Sequence, residues 1–190
     1  GALLLAFTPL VTNATRDAWE TYSLDNQWWI QDGLDDLGLS ETSSPRNITP
    51  FVYRKTLRSF IPEVIGLDVY SPVWQMSPAP TGTSVINFNL FNHPTFKRLV
   101  QFAIFTRQSA ISEVLDTSLV FGTSAPQTGE EPQSIVVLPV FEDSSDKESQ
   151  IIGHVVAVIP WGQFFENILQ EGHDGVYAVL EESCGHSFTY

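Results

Sequence analysis

Pro132–Trp161 reads PQSIVVLPVFEDSSDKESQIIGHVVAVIPW. Two apolar, β-branched runs, 134–141 and 151–160, flank an acidic, serine-rich connector at 142–150. Runs of this length joined by a polar loop predict a hairpin of two largely buried antiparallel strands. Immediately afterwards Phe164, Phe165, Ile168 and Leu169 fall on one face of a short amphipathic helix. The stretch holds no nucleophile elbow, metal cluster or phosphate loop. It reads as the frame of a sensor rather than of a catalyst.

Upstream of the hairpin, Phe96, Leu99, Val100, Ala103 and Ile104 recur at the helical period, with Lys97, Arg98 and Arg107 outside that stripe. This predicts a helix over 93–108, opened by Pro94 in the first turn, where proline is tolerated. Residues 110–119 read as a strand, and 175–181 as a last one. Val85–Leu90 alternates apolar residues with asparagine, the pattern of a strand with one wet or ligand-facing side. Val73-Trp74-Gln75-Met76 reads as an extended strand running into a proline-rich loop, and 51–67 as a short strand followed by an amphipathic turn broken by Pro62. At the start, 2–11 reads as a strand. Thr12 or Thr15 can then cap one long helix ending near Gly33 or Gly38, with Trp19, Tyr22, Leu24, Trp28, Trp29 and Ile30 on its apolar side.

Helices lying on an antiparallel sheet make an α+β, PAS-like architecture, here preceded by a long helix. The chain divides into a strand-and-helix region, 1–60, and a sensor core, 61–190. At 190 residues it can bury a real core, and 43% hydrophobic against 16% charged residues indicates a folded globule. A net charge of −13 argues against binding to nucleic acid or to an anionic membrane surface, both of which need clustered Lys and Arg. No segment approaches the ~18 consecutive apolar residues of a membrane span. Gly1–Phe7 lacks a basic flank and an initiator Met, so it reads as neither signal peptide nor anchor, and the chain reads as a segment of a larger protein.

Two glycosylation sequons, at Asn13 and Asn47, matter if the chain enters a secretory lumen. The single Cys184 cannot form an internal disulfide. His93, His154, His173 and His186 show no metal-ligand spacing, and strand alternation places His154 on the solvent face. The loop carboxylates Glu130, Glu131, Glu142, Asp143, Asp146 and Glu148 read as a solvated acidic surface. No cofactor or metal is expected. Asn87 and Asn89 remain open: if buried they must hydrogen-bond something, either neighbouring backbone or a small ligand.

Several short motifs, taken in order, carry a family resemblance. They are Phe7-Thr8-Pro9-Leu10-Val11-Thr12 with Arg16 and Trp19-Glu20, Tyr70-Ser71-Pro72-Val73, and Asn87-Phe88-Asn89-Leu90 with Pro94. Ala110-Ile111-Ser112, Leu138-Pro139-Val140-Phe141 and Ile152-Gly153-His154-Val155 complete the set. Over roughly Leu4 to Leu169 the chain resembles CHASE domains, the extracellular sensory modules of cyclase- and histidine-kinase-linked receptors. Pro72-Val73-Trp74-Gln75, Ser112-Glu113-Val114-Leu115-Asp116 and Pro160-Trp161 look most similar to ectodomains of receptor-type nucleotide cyclases of diatoms and related algae.

The resemblance implies an extracellular, non-enzymatic ligand sensor on the outer face of a membrane, with guanylate or adenylate cyclase as output. It implies an unidentified small-molecule ligand, a homodimer formed through flanking helices, and membrane attachment through segments outside this chain. Where plant cytokinin receptors of the family carry an adenine-binding aspartate, Pro78 stands here, so cytokinin is a poor ligand guess. The ligand-binding candidates matching the family's pocket walls are Trp74, Met76, Asn87, Asn89, Ser112 and Val137. Two alternatives from other classes are a stand-alone secreted binding module and a small hydrolase, the latter lacking an identifiable reactive residue.

Overall fold

The two β-branched runs form the longest strands of the computed structural model, which describes residues 2–39, 48–55, 59–64, 66–80, 85–114, 132–166, 179–181 and 187–189. The chain begins with β1 (Leu4–Pro9) and β2 (Val11–Thr12), followed by helices α1 (Arg16–Asp25) and α2 (Trp28–Asp36). Short strands β3 (Tyr53–Lys55), β4 (Phe60–Pro62), β5 (Val69–Tyr70) and β6 (Met76–Ser77) lead to helix α3 (Pro94–Thr106) and β7 (Ala110–Ile111). The long hairpin β8 (Gln133–Phe141) and β9 (Ile151–Pro160) runs into α4 (Trp161–Glu166), and β10 (Val179–Glu181) pairs with β11 (Ser187–Thr189).

Among the described residues the main sheet has five strands in the order β6-β1-β9-β8-β7, every pairing antiparallel. Helices against an antiparallel sheet confirm the α+β, PAS-like class. Residues opposite one another across strands share a face of the sheet. Leu4, Val158 and Ile135 form one such row, and Ala6, Val156 and Val137 the next. All six belong to a buried cluster with Phe96, Leu99, Val100 and Ala103 of α3. Fully burying a side chain of this size stabilises by about 1.5–3 kcal/mol, so this helix-on-sheet layer carries much of the fold. At its C-terminal end α3 is capped by Arg107 in the left-handed conformation, and the Arg107 Nε donates to Lys147 O at 2.6 Å. The helix end is thereby pinned to the acidic β8–β9 turn.

Four expectations are corrected. The long first helix is two helices, because Asn26 and Gln27 turn their side-chain amides back onto Tyr22 O (2.9 Å) and Leu24 O (2.8 Å) and interrupt it. Such local bonds compete with the helical ladder. Val85–Leu90 is no strand: Asn87 has φ 66°, and Leu90–Asn92 is a 3₁₀ turn capped by the Asn89 side chain. Residues 51–67 contain a small hairpin, with Tyr53 opposite Pro62. His154 faces inward rather than to solvent, since it continues the buried face of Val156 and Val158 at the period-2 spacing. Its alternate Gly153 is buried as well, so β9 offers no alternation from which the orientation could be read.

Gly153 is required by close approach. A Cβ there would lie 2.7 Å from Thr8 O and 2.9 Å from the Phe7 ring. One of these contacts is backbone, which cannot rotate away. Gly153→Ala is expected to lower the unfolding free energy by about 2 kcal/mol, in the range of overpacked cores. Urea titration checks this, and an unchanged midpoint would show that β1 and β9 separate freely.

Candidate functional site

Three places in the structure gather chemistry: a buried polar hub, an aromatic cluster and an open groove. The hub begins at Arg16, which the turn after β2 presents at the first position of α1. Its Nε donates to Glu20 Oε1 at 2.7 Å, one helical turn on. Its Nη1 and Nη2 donate to Glu63 O (3.1 Å) and Val52 O (3.2 Å), and the guanidinium lies 5.0 Å over the Tyr70 ring. Burial alone would lower the Arg16 pKa, but the bonds to Glu20 and the contact with Tyr70 raise it, so the charge is secure. Beside it the Glu63 carboxylate accepts from Asn92 Nδ2, Asn89 Nδ2 (2.9 Å) and the Val64 N–H (3.0 Å). Burial would raise its pKa, yet these donors and the Arg54 charge outweigh that and hold it below the ordinary carboxylate value.

Asn87 and Asn89 sit in this hub, both fully buried. Asn87 Oδ1 accepts from Trp19 Nε1 at 3.2 Å, and its Nδ2 donates to Ser23 Oγ and Thr49 O, each at 2.9 Å. Asn89 Oδ1 accepts the Ser71 N–H at 3.0 Å. The protein itself therefore occupies their polar atoms, tying α1 to the turn after β6 through side chains.

Trp74 is the centre of the aromatic cluster. Its ring meets Trp19 at 5.4 Å and Trp29 at 5.6 Å, both edge-on, and Tyr22 at 6.2 Å. Edge-to-face pairs of this kind add about 0.5–1.5 kcal/mol beyond area burial. Met76 and Val137 are buried in the core cluster that also contains Trp74, and Trp29 Nε1 has no hydrogen-bond partner among the described residues. His154 is likewise buried with no partner among the described residues for either ring nitrogen, and burial pushes its pKa down to about 4.

The groove lies between α3 and β7 and measures about 450 Å³. Leu99, Phe102, Ala110 and Ile111 supply its apolar lining, and Ser112 its polar rim. Across it Arg98 Nη2 donates to Glu113 Oε1 at 2.7 Å. Of the six residues singled out from the sequence, only Ser112 reaches this groove. Its Oγ accepts the Ile135 N–H at 2.9 Å and so also anchors β7 to β8. The other five lie in the hub or in the packed core. Sequence reading missed Arg98 and Glu113 as a pair, because nothing but the fold brings residues 15 positions apart to face each other. Glu63 was missed for the same reason. Asn13 is exposed in the turn after β2, whereas Asn47 falls outside the described residues.

Among the described residues no group of three His, Cys, Asp or Glu side chains is placed to hold a metal ion, and no helix is long and apolar enough to cross a membrane. The family model of the CHASE domain matches residues 1–183. No curated protein matches the chain closely enough to count as a relative.

Proposed function

The chain belongs to the CHASE domain family, and from that membership we propose that it is the extracellular ligand-sensing domain of a membrane receptor whose cytoplasmic output is a nucleotide cyclase. CHASE domains are sensory domains of signalling receptors, typically extracellular, and they bind small molecules rather than catalyse reactions. The observation that carries the proposal is the extent of the match, which spans the whole five-stranded sheet and the helices packed on it.

The ligand is read at the groove that Ser112 borders, while Trp74, Met76, Asn87, Asn89 and Val137 are buried and hold the fold that carries it. A ligand with unequal affinity for two arrangements of the domain biases their populations, and this bias is the signal. Two copies associate through flanking helices, and the sequons at Asn13 and Asn47 carry glycans on the outer face of the membrane.

The test is the full-length transcript on either side of residues 1 and 190. The expected result is an apolar run of ~20 residues, long enough to span a bilayer, followed by a cyclase domain. A kinase domain in that place would overturn the cyclase output while keeping the receptor. A coding sequence with no span would overturn the receptor and leave a secreted binding module.

A further inference from the structure

The groove between α3 and β7 carries one positive and one negative side chain across an apolar lining. Arg98 projects from α3 and Glu113 follows β7, so the pair joins two elements over the cavity rather than two turns of one helix. Both side chains are open to water, at 66% and 52% exposure. An ion pair this exposed contributes little to stability, so separating it costs little. Below it lie Leu99, Phe102, Ala110 and Ile111, and about 450 Å³ is within the range of small-molecule sites. Phe102 and Ile111 stay about half exposed, an apolar surface that no described side chain covers.

We propose that this groove binds a free α-amino acid with an apolar side chain. The ligand carboxylate pairs with Arg98, its ammonium pairs with Glu113, and its side chain lies on Phe102 and Ile111. One exposed ion pair within the protein is exchanged for two protein–ligand pairs. The chain's own charge of −13 repels a simple anion, whereas a zwitterion brings no net charge into that field. An uncharged apolar molecule would leave the Arg98–Glu113 pair shut across the groove. The assignment rests on the ligand-sensing reading and adds to it the chemical class of the ligand and the two residues that select it.

The experiment titrates the folded chain with L-phenylalanine, N-acetyl-L-phenylalanine and L-phenylalaninamide, followed by calorimetry and by amide resonances of 98–113. The free amino acid is expected to bind up to about 5-fold more tightly than either blocked form, the worth of one exposed ion pair. In Arg98→Gln the amide binds as well as the free acid. In Glu113→Gln the acetylated form binds as well as the free amine. Both sites are exposed, so neither substitution threatens folding, and unchanged melting temperatures confirm it. Binding that ignores both substitutions overturns the groove assignment but leaves a ligand sensor. No binding of L-phenylalanine at millimolar concentration, or equal binding of all three probes, overturns the proposal as well. The receptor reading then stands or falls on the transcript alone.

Discussion

Arg16→Met is expected to lower the unfolding free energy by about 3–5 kcal/mol, the effect of breaking a buried ion pair from one side. The substitution removes three hydrogen bonds and the only cation beside Glu20 among the described residues. Glu20 Oε1 keeps the Val52 N–H and Val52 O keeps the Glu63 N–H, but the carbonyl of Glu63 loses its donor in a buried place and the Glu20 carboxylate loses its counter-charge. Methionine matches the stem but brings no donor. Arg16→Lys is expected to recover only part of the loss, since one ammonium cannot reproduce a planar fork that serves a side chain and two backbone carbonyls. Urea denaturation of the three proteins measures the effect. A loss under 1 kcal/mol for Arg16→Met would mean that the hub is held by Glu63 and the asparagines without its cation.

Acidification is the second large effect, and its sign follows from His154. Unfolded, its imidazole titrates near 6.5, and in the fold burial lowers that to about 4. Between these values the unfolded chain holds more protons, so stability rises with pH across the window. The contribution is fully present above pH 6.5, declines as pH falls, and is gone below pH 4. At 1.36 kcal/mol per pKa unit it amounts to about 3 kcal/mol. Burial of His93 lowers its pKa and acts in the same direction. Glu63, held below its ordinary value, adds a further loss at lower pH. His154→Leu keeps the side chain apolar and removes the proton acceptor. The wild-type protein is therefore expected to lose about 3 kcal/mol more than the variant between pH 7.5 and pH 4, measured by urea midpoints at each pH. Parallel curves for the two proteins would remove His154 as the cause.

The hairpin of β8 and β9, the helix α3 and the strand β1 were legible in the sequence because each is long and periodic. Their limits shifted by only a residue or two where the structure describes them. The helix break at Asn26 was not legible, since the stripe from Trp19 to Ile30 continues through it and the interruption comes from two amide side chains bonding backwards. His154 was misplaced because a central strand buried on both faces has no polar side. The two asparagines were recognised as residues that must bond to something, but their partners, Trp19 and Ser23 on α1 and Glu63 after β4, come from tertiary packing. Of the groove, only Ser112 was named in advance. A pocket between a helix and a strand exists only after both have docked.

β1 lies between β6 and β9, and its Thr8 hydroxyl reaches the carbonyl of His154, 146 positions along the chain. Within this sheet the strand made first therefore waits for the strand made last before the sheet can close. Until residue 160 has emerged, Leu4 and Ala6 have no partner on the β9 side, and the nascent chain carries an apolar strand with an open edge. Pairings this remote are slow to form and prone to intermolecular capture while they wait. Production of this domain should therefore be limited by escort of its first strand during translation rather than by the stability of the finished sheet.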